Sequence, residues 1–236
     1  MAEQTRNLAI IPARGGSKRI PRKNIKLFLE KPIIAYSIDV AAKSGLFDTI
    51  MVSTDDNEIA GIAKNYGASV PFLRSAETSN DQATTIAVLK EVIMLYAKHD
   101  TTFDNICCIY PCAPFITRKA LEETFSLLKQ GQADTIFPVV RYGHPIQRAL
   151  KKQGNYVSMI DEQNMTVRTQ DLEARYHDAG QFYWLTSDAL HMKGSLITDK
   201  SIGFEIDENE TQDIDNDTDW RLAEMKYTLL HTNIKN

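Results

Sequence analysis

Apolar residues recur along this chain in two rhythms that take turns. Leu8 to Pro12 is a short unbroken apolar run that ends in a Gly- and Lys-rich segment, as a strand buried on both faces and feeding a site does. From Pro32 the spacing changes: Ile34, Ile38 and Ala41 share one helical face, and Gly45 stands where a C-terminal cap belongs. Thr49 to Ser53 reads as the next strand, and Asn57 as the cap of a helix that buries Ile59, Ile62 and Tyr66 and stops at Gly67. A helix after Asp81 follows, with Ile86, Leu89, Ile93 and Tyr96 on one stripe, then a strand from Ile106 to Tyr110. Thr117 caps a helix with Leu121, Phe125 and Leu128 inward, and Thr135 to Val140 supplies another strand.

This order predicts an α/β fold, a doubly wound, mostly parallel sheet whose ligand site lies at the C-terminal ends of the strands. The rhythm breaks after Arg141. No long helical period runs from Arg141 to Ala179, and Pro145 and Gly154 punctuate short extended pieces such as Tyr156 to Ile160. An insertion at about 141–175 within a single domain, 1–236, is therefore expected. Gln181 to Leu185 and Ser201 to Ile206 read as later strands, and Trp220, Ala223, Tyr227 and Leu230 give the last helix its apolar face.

Composition narrows the function classes. With 236 residues, 43% hydrophobic and 25% charged, the chain has material for a sizeable single core. Lys and Arg total 27 against 31 for Asp and Glu, and the net charge of -4 argues against a general nucleic-acid coat or a membrane-surface protein, so any basic site is local. The three cysteines, Cys107, Cys108 and Cys112, are odd in number and two adjoin in an apolar run, which suits core thiols better than a disulfide framework. Met1 to Ile11 has no charged-then-apolar leader, and no apolar stretch nears the roughly 18 residues of a membrane span, so a cytoplasmic protein is expected.

Chemistry concentrates in a few segments. Pro12 to Asn24 holds Arg14, Lys18, Arg19, Arg22 and Lys23 with no acidic residue, directly after the first strand. Gly15 and Gly16 let backbone amides approach an anion while the cations neutralise phosphate, so a nucleoside triphosphate is the natural guest. Neither GxxxxGK[ST] nor GxGxxG is present, which weakens ATPase and dehydrogenase readings. Such crowded cations repel each other unless a ligand or an acid sits among them. Near the other end, Asp213 and Asp215 flank Ile214, and in an extended stretch the period of two sets both carboxylates on one face, as Mg²⁺ beside phosphates requires. Spacing leaves a rival open, in which they join Asp217 and Thr218 in a helix-capping run. Asp55 and Asp56 also follow a strand end, where turn and cap roles compete with a site role. In the insertion and beyond it, His144, Gln147, Arg148, Arg168, His177 and Gln181 are dense in groups that bind carboxylates and hydroxyls, and Phe182, Tyr183 and Trp184 follow.

The Pro12 to Asn24 segment, STDDNEIA at Ser53 to Ala60, RSAE at Arg74 to Glu77 and QDIDNDTDW at Gln212 to Trp220 together resemble the cytidylyltransferases that activate sialic-type nonulosonic acids. IQRAL at Ile146 to Leu150 and YHDAGQFYW at Tyr176 to Trp184 are similar to the pseudaminic acid branch, where N-acylneuraminate enzymes usually carry an NGAIY-like stretch. Tyr110 opens YPCAPF where those enzymes usually read QPTSP, so their glutamine contact to the sugar is not carried over. The resemblance implies a Rossmann-like nucleotidyltransferase fold with an inserted dimerisation element, a homodimer, and transfer of CMP from CTP to the anomeric hydroxyl of a nonulosonic acid with Mg²⁺ and release of pyrophosphate. It implies Ala13, Arg14, Gly15, Ser17, Lys18, Lys23 and Asn24 at the triphosphate, and Arg74, Ala83 and Thr85 near the cytidine. Asp213 and Asp215 would hold metal, and with Arg14 and Lys23 would serve catalysis. Tyr110, Gln147, Arg148, Arg168, His177, Gln181, Phe182 and Tyr183 would form the sugar pocket, an aromatic wall of Phe182, Tyr183 and Tyr110 with Gln181 and His177 reading amides. Pseudaminic acid is the expected sugar, with N-acetylneuraminate or legionaminate as alternatives. A metal-dependent glycosyltransferase and a non-enzymatic nucleotide- or RNA-binding module are the readings from other classes.

Overall fold

The computed structural model describes residues 5–232; Met1 to Gln4, at the head of the stretch read for a leader, lie outside the described residues. Strand β1 (Asn7–Pro12) is buried along nearly its whole length because it lies between two parallel neighbours, β4 (Thr49–Ser53) and β5 (Asn105–Ile109). Beyond β5 come β10 (Phe182–Thr186), β6 (Thr135–Arg141) and β11 (Ser201–Glu205), with β9 (Tyr176–Asp178) pairing to the end of β6. Strands β4, β1, β5, β6 and β11 share one direction, and β10 and β9 run against them.

Alternation along the strands builds two cores. Ala9, Ile11, Val52, Cys107, Phe182 and Trp184 face helices α1 (Ile33–Ser44), α2 (Asn57–Asn65) and α5 (Arg118–Lys129). Leu8, Ile10, Met51, Cys108, Tyr183 and Leu185 face α4 (Thr85–Ala97) and α6 (Ser187–Lys193), so helices cover both sides as a doubly wound sheet requires. The adjacent Cys107 and Cys108 are thereby core thiols on opposite faces, and burial raises both of their pKa values. A third cluster joins Ile20, Phe28, Ile33, Phe115, Ile214 and Trp220 beside the sheet, under β2 (Leu27–Phe28), β3 (Lys31–Pro32) and the last helix, α7 (Asp217–Thr232).

Caps explain most boundaries. The Thr117 hydroxyl accepts the Ala120 N–H at 3.1 Å, and Gly45 closes α1 at a φ of 66°. One cap differs from expectation: Asn57 is already helical, and Asp56, held extended, accepts the N–H groups of Glu58 and Ile59 at 2.9 and 3.0 Å. The short α3 (Ala76–Ser79) precedes α4. Between β6 and β9 the chain leaves the sheet, and there β7 (Leu150–Gln153) and β8 (Tyr156–Met159) form a hairpin exposed on nearly every residue. Among the described residues no helix is long and apolar enough to cross a membrane.

Candidate functional site

Strands β1, β4 and β5 run parallel side by side, so their C-terminal ends share one edge of the sheet. Just beyond β1, the Ala13 N–H donates to Ser53 O at 2.9 Å, tying the basic loop to β4. The Asn24 side chain, 7% exposed, donates to Arg14 O at 2.9 Å and accepts the Cys112 thiol at 3.3 Å, so the loop folds around a buried amide. Burial, with a lesser opposing pull from Lys23, pushes that thiol up to about 12, which leaves Cys112 a neutral donor. Arg74 lies alongside, 9% exposed, its guanidinium donating to Ser53 Oγ at 3.1 Å and Ser53 O at 2.5 Å, and burial lowers its pKa.

The crowded cations of the loop meet acids brought from elsewhere in the chain. Asp81, from the turn before α4, binds Arg14 at 2.7 Å and also Lys18. Arg22 binds Glu58 at 2.5 Å and also Asp56, and its hydrogen bond to Asp56, more than any other cause, holds the Asp56 pKa down to about 2. Gly15 donates its N–H to Asp55 Oδ1 at 2.9 Å, and a Cβ there would come within 2.7 Å of Asp56 Oδ2, so only glycine permits the approach. Gly16 faces open space.

Basic loop and acidic pair are far apart in sequence and meet through the third cluster. Ile20 and Ile214 are 1% and 2% exposed in the same cluster, Lys23 Nζ donates to Ile214 O at 2.7 Å, and Arg19 binds Asp215 at 2.6 Å. Burying Ile214 leaves Asp213 exposed and Asp215 half-buried on either side of it. The capping role belongs to their neighbours: Asn216 Oδ1 accepts from Thr218 and Asp219, and Asp219 Oδ2 accepts from Asp215 and Asn216. Asp213 and Asp215 thus offer two hard oxygen donors facing a cationic loop, which fits a divalent ion that takes its other ligands from phosphate and water. Among the described residues no set of three His, Cys, Asp or Glu side chains converges as a metal cage.

Tyr110 follows β5, its N–H donating to Gln181 O at 2.8 Å and its hydroxyl 3.5 Å from Thr85 Oγ1. Its ring lies 5.4 Å from that of Tyr183, and both border a cavity of about 420 Å³ together with Thr84, Asp178 and Leu196. Burial, then Tyr110 and Asp178, push the Tyr183 hydroxyl pKa up, and that hydroxyl donates to Asp178 Oδ2. Ala83 sits in the same turn as Asp81, just ahead of Thr85.

Several expected sugar contacts stand elsewhere. Phe182, next to Tyr183 on a strand, points to the opposite face and is 0% exposed in the core, so it cannot share the wall. His177 pairs with Val140 and its ring lies tilted 5.0 Å from that of Tyr142, one position out of step with Asp178. Gln181 is 4% exposed with its amide already donating to Glu210 O at 2.6 Å. Gln147 donates to Glu173 O at 2.7 Å and Arg148 binds Val167 O, so both are bonded within the excursion, where Arg168 is exposed. Asp178, within the YHDAGQFYW motif, was not among the expected contacts; it stands one period of two beyond Tyr176 and borders the cavity beside Tyr183.

A profile of the cytidylyltransferases matches residues 8–229. The pseudaminic acid cytidylyltransferase of Campylobacter jejuni strain 81-176 is 41% identical over 96% of this chain and 98% of its own. The CMP-N,N'-diacetyllegionaminic acid synthase of Legionella pneumophila is 31% identical over 93% of this chain and 95% of its own. Among solved structures, a CMP:2-keto-3-deoxy-manno-octonic acid synthetase complexed with CTP superposes with a TM-score of 0.69 at 16% identity, covering 97% of this chain and 100% of that one.

Proposed function

The chain belongs to the cytidylyltransferase family, and from that premise we propose that it transfers CMP from CTP to the anomeric hydroxyl of pseudaminic acid, releasing pyrophosphate. The observation that carries the reading is the seating of the basic loop against the Asp213–Asp215 pair through Lys23 and Ile214. The choice of sugar rests on the near end-to-end likeness to the Campylobacter protein.

In this reading Arg14, Lys18 and Lys23 neutralise the triphosphate, with the amides of Ala13, Gly15 and Ser17 and the buried Asn24 side chain holding the loop around it. Asp81 yields Arg14 and Lys18 to the incoming phosphates. Arg74 forms the cationic floor near the cytidine, beside Ala83 and Thr85. The anomeric hydroxyl gives its proton to water and its oxygen bonds to the α-phosphorus as the bond from that phosphorus to the oxygen bridging toward the β-phosphate breaks, and the leaving pyrophosphate stays screened by the loop cations. Asp213 and Asp215 would hold Mg²⁺, which when bound spreads charge over the phosphates and lowers the pKa of the attacking hydroxyl, so no side-chain base is assigned. Tyr110 and Tyr183 face the sugar.

A homodimer forms through the excursion. Tyr156, Val157 and Ile160 are 84%, 62% and 65% exposed on or beside a hairpin that has no core of its own. Gln147, Arg148 and Arg168 stand on that excursion, so their part in the sugar pocket goes with the pairing. The reaction belongs in the cytoplasm, where CTP is made. Pyrophosphate release from CTP with a panel of nonulosonic acids tests the proposal. Release with pseudaminic acid is expected, and none with any acid would return the chain to a glycosyltransferase or a binding module.

A further inference from the structure

Asp178 ends β9 opposite Val139, which packs on the Tyr183 face of the sheet. Two donors fix its carboxylate: the Tyr183 hydroxyl at Oδ2 and the Gly180 N–H at Oδ1, 2.8 Å away. Each oxygen keeps a second lone pair, and among the described residues no Lys or Arg forms an ion pair with it. The cavity of about 420 Å³ that it borders is walled mainly by Tyr110, Tyr183, Ile86, Leu196 and Ile197, with Thr84, Gly194 and Ser195 completing it. The site is therefore an oriented acceptor, exposed to solvent and free of a cationic partner, at the rim of a largely apolar space.

An acylamino group has that same two-sided chemistry, an N–H donor next to a methyl group. A hydroxyl supplies the donor but leaves the apolar space unfilled, and a carboxylate is repelled. We propose that Asp178 is a specificity-determining residue, accepting the N–H of one acylamino substituent of the nonulosonic acid while the acyl methyl lies between Tyr110, Ile86 and Leu196. The inference rests on the substrate reading above and names the group that this side of the site selects. It gives Asp178 the amide-reading part first expected of His177 and Gln181, whose side chains are turned away or already bonded.

The test compares kcat/KM for pseudaminic acid and for its two analogues in which a hydroxyl replaces one acylamino group, at saturating CTP. The wild type prefers the parent acid over one analogue by at least about tenfold. Asp178→Ala loses that preference with its KM for CTP unchanged. Asp178→Asn, nearly isosteric, loses it as well, because its amide oxygen stays with the Gly180 N–H and its NH₂ faces the substrate donor. Tyr183→Phe keeps the preference, since the carboxylate remains. An unaltered preference in both Asp178 variants overturns the inference and leaves the substrate reading standing. A loss in Tyr183→Phe as large as in Asp178→Ala also overturns it, because Asp178 would then act only by holding Tyr183. A wild type that does not turn over pseudaminic acid overturns the substrate reading itself, and the inference with it.

Discussion

Lys23 is the residue at which the basic loop and the acidic pair meet. Its ammonium rests on a backbone carbonyl, Ile214 O, and leaves two donors for a ligand. Lys23→Ala should lower kcat by about 100-fold with the melting temperature little changed, because a loop cation aimed at phosphate supplies charge rather than packing. Asp213→Asn and Asp215→Asn keep shape but lose the charge that a hard cation requires, so each should abolish most Mg²⁺-dependent turnover; full activity at low Mg²⁺ would dissociate the pair from metal. Asp56 carries a pH signature. Its folded pKa, about 2, lies below the unfolded value, so its contribution is present above about pH 4 and fades as the pH falls toward 2. Urea denaturation should show Asp56→Asn less stable than wild type by up to about 2 kcal/mol at pH 7, the gap closing near pH 2.

Elements were legible where local chemistry decides them. Thr117, Gly45 and the Leu121–Phe125–Leu128 stripe mark α5 and the end of α1 without help from the rest of the chain. Cap choice between Asp56 and Asn57 was not legible, since both residue types cap and the Arg22 partner that favours Asp56 comes from another loop. Strand direction was not legible either: β10 carries the apolar run of a central strand yet runs antiparallel between β5 and β6, and a buried run reads the same in both directions. The faces of Phe182 and Tyr183 followed only once the strand was in place. The small third cluster also escaped sequence reasoning, because Ile20 and Ile214 are single apolar residues in polar loops. Ile214→Ala should cost roughly 2–5 kcal/mol of stability, as buried Ile truncations do, and should reduce kcat/KM beyond that of an equally destabilised variant elsewhere, because it loosens the acidic pair from Lys23.

For the whole molecule, the fold class and the basic loop were readable from sequence, whereas which acid meets which part of the loop was not. Asp55 and Asp56 approach it from one turn, Asp81 from a second and Asp215 from a third, a convergence that only the assembled sheet produces. The excursion gives a second global prediction: a dimeric mass by light scattering at micromolar concentration, reduced to monomer by Val157→Asp with Ile160→Asp, and a strictly monomeric wild type would refute the pairing. The central claim concerns the sugar that receives CMP. Its most direct test is the ratio of kcat/KM for pseudaminic acid and N-acetylneuraminic acid, read by pyrophosphate release under matched CTP and Mg²⁺. The ratio should favour pseudaminic acid by at least about tenfold, and an equal or reversed ratio would contradict the account.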